Sequence, residues 1–189
     1  MTDHVARLNR RTLRALAHPL RIQLLELLRA DGPATASGLG ERLGESSGTT
    51  SWHLRQLAEY GFVAEDTDRG NRRERWWRSV HDGHRMDAED FLDDPDSAGA
   101  LNSYLHASVQ LRYAAESQFI AELDHWRESW ERTVLFDDAR LSLTPEETRA
   151  LSEDVLRVVD RYRREPRAGD ETVVAHWAAF PRRHDGERS

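Results

Sequence analysis

The run Ser47-Gly48-Thr49-Thr50-Ser51-Trp52-His53-Leu54-Arg55-Gln56 concentrates side chains that can read the edge of a base pair. A glutamine amide can bond adenine through two contacts. An arginine fork fits guanine or a phosphate, and a threonine methyl can meet the methyl of thymine. At helical spacing Thr50, Leu54, Leu57 and Ala58 share one face, which should pack inward. The opposite face carries Thr49, Trp52 and Gln56, flanked by Gly48, His53 and Arg55. The candidate DNA contacts on this helix are therefore Ser47, Thr49, Thr50, Trp52, His53, Arg55 and Gln56. Thr50 is included although it sits on the inward face, and Trp52 either stacks in a groove or folds back to the core. A second set, Arg69, Arg72 and Arg73, surrounds a turn-prone tip. Arginine matches phosphate oxygens and enters narrow minor grooves. Arg75 and Arg78 follow along a strand, where pairing with downstream acids is the alternative.

Other chemistry has less to stand on. The chain has 189 residues and no cysteine, which excludes disulfides, thiolate metal sites and cysteine nucleophiles. His81-Asp82-Gly83-His84, with Asp87 nearby, is the one close nitrogen and oxygen cluster, and it reads as a solvated histidine pair. No metal site is assigned to it. A glycine-rich phosphate loop, a zinc signature and a local Ser-His-Asp motif are all missing. No catalytic residue and no cofactor are expected.

Charge divides the chain. The net charge is −7, and every basic residue is arginine. Residues 1–85 carry 14 arginines against 11 acids, and residues 86–189 carry 13 against 23. An acidic total argues against coating nucleic acid indiscriminately, and it permits a basic N-terminal surface. No stretch of about 18 apolar residues suggests a membrane span. No secretory signal is read at the N-terminus, so a cytoplasmic protein without membrane contact is expected.

The elements that position these residues follow from apolar spacing and punctuation. Val5–Ala17 reads as a helix interrupted at His18-Pro19, and Pro19 opens a second helix that Asp31-Gly32-Pro33 ends. A short helix spans Thr35–Leu43. Ser46 or Ser47 caps a fourth that runs to about Tyr60. Phe62–Asp66 and Arg73–Val80 read as a β-hairpin. Residues 82–96 read as an acidic linker. A long helix is expected over Ser97–Arg132, with Leu101, Leu105, Leu123 and Trp126 on a stripe that needs a partner. The end reads as strand, helix, strand over Val134–Leu143, a helix started by Thr144-Pro145-Glu146-Glu147, and Thr172–Phe180.

Three helices and a charged hairpin make the winged helix-turn-helix plan, in which the helix 47–60 enters the major groove. The residues Ala34–Val63, ATASGLGERLGESSGTTSWHLRQLAEYGFV, resemble the ArsR-type family of bacterial winged-helix regulators. Ser51-Trp52-His53-Leu54 followed by Leu57 and Gly61-Phe62-Val63 is similar to that family's signature. Arg14-Ala15-Leu16-Ala17-His18-Pro19-Leu20-Arg21 resembles its opening helix junction. The resemblance covers about Arg10–Val80 and implies a transcriptional regulator that binds double-stranded DNA.

The expected fold is mostly α with a small β component. Residues 1–81 form the DNA-binding domain. Residues 82–96 link it to a dimerisation and effector-sensing half, 97–189. The expected partners are duplex DNA, a second copy of the chain through Leu101, Leu105, Leu123 and Trp126, and an unknown small-molecule effector held among the aromatics of the second half. The function read is a homodimeric repressor on an inverted-repeat operator. Two alternatives stand beside it, a winged-helix protein-interaction module without DNA binding and a small-molecule or metal-binding protein.

Overall fold

The computed structural model describes residues 5–69, 74–131 and 133–182. It divides into two units, Met1–Glu131 and Arg132–Ser189.

The first unit begins with β1 (Val5–Arg7), followed by α1 (Arg10–Leu16), α2 (Pro19–Ala30), β2 (Ala34–Thr35), α3 (Ala36–Leu43) and α4 (Ser47–Glu59). It continues with β3 (Val63–Glu65), β4 (Trp76–Ser79), β5 (Gly83–Arg85), α5 (Pro95–Ala121) and α6 (Leu123–Trp126). Each early helix starts where a side chain can satisfy its free N–H groups. Asn9 and Thr12 form a capping box on α1, and the His18 ring caps α2 ahead of Pro19. Thr35 accepts from Gly38 N at the start of α3, and Ser46 accepts from Thr49 N at the start of α4. Gly44, at φ 69°, ends α3 in the left-handed region, which costs glycine little.

The leucines of α2 are the centre of the core. Leu24 and Leu25 are fully buried, with Leu13 and Leu16 from α1 and Leu54 and Leu57 from α4. β4 is the middle strand of an antiparallel three-stranded sheet, ordered β2-β4-β3. Ala34 faces Trp77 across it, and so does Glu65 from the other side. Trp77 is buried and anchors this sheet to the helices.

Several boundaries differ from the sequence reading. The expected helix over Val5–Ala17 starts only at Arg10, because Val5–Arg7 pair in parallel with Gly83–Arg85. Residues 82–96 are not a free linker. They carry β5 and a short 3-10 helix, Ala88–Phe91, whose Phe91 is fully buried. Their carboxylates face arginines of β1 and α1: Arg7 meets Asp87 at 2.9 Å, and Arg14 meets Asp94 at 3.6 Å and Asp96 at 3.7 Å. These pairs are solvated, so each adds little stability. Asp94 also caps α5, accepting from Ser97 N at 2.9 Å and Ser97 Oγ at 2.6 Å. The long helix ends at Ala121 rather than Arg132.

The second unit holds α7 (Pro145–Asp160), started by the expected Thr144–Glu147 capping box. The stretches 134–143 and 172–180 carry no strand. Alternating apolar residues favour extended chain, but a strand also needs a hydrogen-bonded neighbour. Leu135, Phe136 and Phe180 are exposed, and no described residue of this unit is buried. The helix tail bends back through Arg164, whose guanidinium holds the Asp170 carboxyl down at about 2.

Candidate nucleic-acid interface

The helix-turn-helix pair is α3 and α4, joined by the tight turn Gly44–Ser46. A β-carbon at Gly40 would lie 2.7 Å from Glu45 O and 3.0 Å from Thr50 Oγ1. Glycine is what allows that turn to cross α3 so closely. Ser46 Oγ then caps α4 and sits 2.8 Å from Thr49 Oγ1.

The two faces of α4 are distinct. Leu54 and Leu57 are fully buried, whereas Trp52 is 51% exposed. Ser47 and Arg55 are exposed, and Thr49, Ser51 and Gln56 are half-buried. Trp52 and Arg55 therefore project from the side opposite the core. Gln56 lies beside them and donates through Nε2 to Glu59 Oε2 at 3.3 Å.

Two of the expected contacts are buried. Thr50 is fully buried, and its hydroxyl donates to Ser46 O at 3.0 Å. It shares the Leu54 and Leu57 face, so it closes the helix start instead of reading a base. His53 is also buried, with its ring 4.5 Å from the ring of His18. The helical wheel put it at the border of the two faces, and packing against the α1–α2 corner draws it inward.

A groove of about 370 Å³ runs beside Arg55, lined by Thr35, Ser37, Ser51, Glu74, Arg75 and Trp77. It brings the first turn of α3, the outer side of α4 and the strand β4 together. The sequence reading placed Thr35 at the start of a helix and gave Ser37 no role. Their place in the groove comes from the β2–β4 pairing, which links segments some forty positions apart. Arg75 bonds Glu65 at 3.2 Å and lies over the Trp77 ring at 5.9 Å, so it pairs within the hairpin and not with the downstream acids. Arg69 is exposed beside Asp66 at 3.4 Å. Arg72 and Arg73 lie outside the described residues.

The residues expected at a second copy separate. Leu101 is 4% exposed and belongs to the core of its own unit. Leu105 and Leu123 are exposed. Trp126 is half-buried, edge-on to Trp130 at 6.3 Å. Of the aromatics expected around an effector, Tyr104 is buried, and Tyr113, Phe136 and Phe180 are exposed. His84 is no solvated ligand. It bonds Arg29 at 2.9 Å and the Tyr104 hydroxyl. Burial and then the Arg29 charge push its pKa down to about 3. Among the described residues no helix is long and apolar enough to cross a membrane.

The pair α3 and α4 beside a small antiparallel sheet is a helix-turn-helix arrangement with one face of α4 left exposed. Residues 16–66 match the family described as helix-turn-helix domain, which covers the end of α1 through the strand β3. Two solved structures are similar to the chain. One is a mutant of ZitR from Lactococcus lactis in apo form, 13% identical, covering 78% of this chain and 84% of that one, with a TM-score of 0.32. The other is AbfR in its disulfide-formed state, 20% identical, covering 57% of this chain and 70% of that one, with a TM-score of 0.28. Among curated proteins nothing matches.

Proposed function

We propose that this chain is a cytoplasmic, homodimeric repressor of the ArsR type that reads an inverted-repeat operator. The observation that carries the reading is the outward position of Trp52 and Arg55 on a capped helix whose other face is fixed in the core. Ser47, Thr49 and Gln56 flank them on α4, and Arg69 extends the same use to the wing together with Arg72 and Arg73. In this arrangement Gln56 and Arg55 meet base edges, and the arginines of the hairpin meet phosphates.

One helix in one groove is a small contact, and a symmetric dimer doubles it on a palindromic site. Leu105 of α5 and Leu123 of α6, with Trp126, supply apolar surface for the second copy. A small-molecule effector would act by favouring one spacing of the two α4 helices. Repression follows from occupying a site that polymerase needs.

The test uses the full chain and a duplex from upstream of its own gene. Two chains per duplex are expected by sedimentation, and Arg55→Ala and Gln56→Ala should each weaken binding by about 1–3 kcal/mol. Unchanged binding by both variants would overturn the placement of α4 in the groove.

A further inference from the structure

Behind the exposed indole of Trp52 lies a small cluster of basic nitrogen groups that the DNA contact itself does not use. The Trp52 ring meets the edge of the His53 ring at 4.7 Å, with the planes 82° apart. His53 in turn packs on His18 at 4.5 Å. His18 belongs to the corner between α1 and α2, and its Nδ1 accepts from Leu20 N at 3.2 Å. A chain of three rings thus connects that corner to the outer face of α4.

The protonation state of this chain is set by its neighbours. Because His18 Nδ1 accepts a backbone N–H, the neutral ring carries its proton on Nε2. A proton added at Nδ1 would turn the cap on α2 from acceptor into donor. His53 Nδ1 is buried without a hydrogen-bond partner, as is Nε of Arg21. The charges acting on His53 are those of His18 and Arg21, both at the start of α2. Arg21 also interacts with Tyr60 at the end of α4, and Arg11 of α1 lies over the Tyr60 ring at 5.4 Å. The guanidinium of Arg21 donates to Arg14 O at 3.5 Å. A second proton on His53 would therefore enter a buried site that already faces a guanidinium. Burial first, then His18 and Arg21, lower its affinity for that proton.

We propose that the His18–His53 pair positions Trp52 for its DNA contact and makes that contact fail when His53 takes up a proton. This rests on the DNA-binding reading above and adds a pH dependence to it. His53 acts here as a positioning residue. Acid favours the arrangement in which the His53 ring leaves its packing and takes up a proton, and Trp52 then loses its support. The direction is diagnostic. Positive charge gained at a DNA-binding surface ordinarily strengthens binding to phosphates, whereas this device weakens it.

The test is fluorescence anisotropy of the full chain on a duplex from its own upstream region, at fixed salt, with circular dichroism alongside. Between about pH 8 and about pH 5.5, one unit below the ordinary imidazole value, His53 can shift the balance by roughly tenfold. Wild type is expected to lose about tenfold in affinity over that range while its helix signal holds. His53→Gln should bind more weakly at the higher pH and show no loss on acidification. His18→Asn, which keeps a side-chain acceptor for Leu20 N, should also reduce the loss. Trp52→Ala should remove it. Binding that is constant or stronger in acid, a His53→Gln variant with the full pH dependence, or a helix signal that falls in step with binding would overturn the proposal. Absence of specific binding at the higher pH would instead sink the DNA-binding reading, and this inference with it.

Discussion

Arg29 Nη1 lies 2.9 Å from His84 Nδ1, and that contact decides which nitrogen of His84 carries the proton. Arginine can only donate, so Nδ1 is the acceptor and Nε2 holds the hydrogen, which points to the Tyr104 hydroxyl. Arg29 also bonds Glu26 at 2.8 Å and His81 O at 3.1 Å. Four segments meet here: α2, the loop before β5, β5 itself and α5. The network fixes the start of α5 on the winged helix.

Stability should depend on pH through His84. Its folded pKa is lowered from 6.5 to about 3 by burial and by Arg29. The unfolded chain therefore binds the proton first, and stability is full above 6.5 and falls as the pH drops toward about 3. Urea unfolding across this window should show the midpoint falling with acid. His84→Gln should be less stable at neutral pH and should flatten the dependence. Tyr104→Phe, which leaves Nε2–H of His84 without its acceptor, should cost about 1–3 kcal/mol at neutral pH. A midpoint that stays level in wild type would refute the buried network.

Gly40→Ala should damage the helix-turn-helix directly. Its β-carbon would stand 2.7 Å from the backbone oxygen of Glu45, and backbone cannot swing aside as a flexible side chain can. The expected loss is about 1–3 kcal/mol of stability, read by thermal or denaturant unfolding. Gly48→Ala is the control, since its nearest contact is Ser46 Oγ at 3.8 Å. Equal effects of the two would show that the α3–α4 turn is looser than described.

Asp94 and Asp93 should behave differently although they are adjacent acids. Asp94 accepts two bonds from Ser97, which hold its carboxyl below the usual carboxylate range, with Arg14 and Arg10 adding to them. Asp93 meets Arg10 at 4.0 Å. Asp94→Ala should lower the melting temperature by removing the cap of α5, and Asp93→Ala should leave it nearly unchanged. The Asp94 contribution is present above its ordinary value of 3.8 and is lost as the pH falls through its lowered folded value. A larger effect from Asp93 would contradict the cap.

What the sequence revealed depended on how local each determinant was. The caps of α4 and α7 could be read, because each acceptor lies within three residues of the N–H it bonds. The outward face of α4 was legible for Trp52 and Arg55, since Leu54 and Leu57 fix the inward side at helical spacing. His53 fell on the border, and only the ring of His18, from another helix, decides its side. β1 was hidden because Val5–Arg7 pair with residues 83–85, far along the chain. The acids of 87–96 resembled a linker for the same reason. Arg7, Arg10 and Arg14, spaced at three and four, were the available signal that something acidic lies against that face. In the second unit, alternating residues at 134–143 suggested a strand, and the chain there forms none.

The most direct test of the central claim is a binding titration on two duplexes of equal length, one from upstream of the protein's own gene and one scrambled. It should be run at two salt concentrations. A groove-reading α4 predicts tighter binding to the upstream duplex, and affinity for both that falls linearly with salt on logarithmic axes. Equal affinity for the two duplexes, or none for either, would contradict a regulator that reads sequence through Arg55 and Gln56.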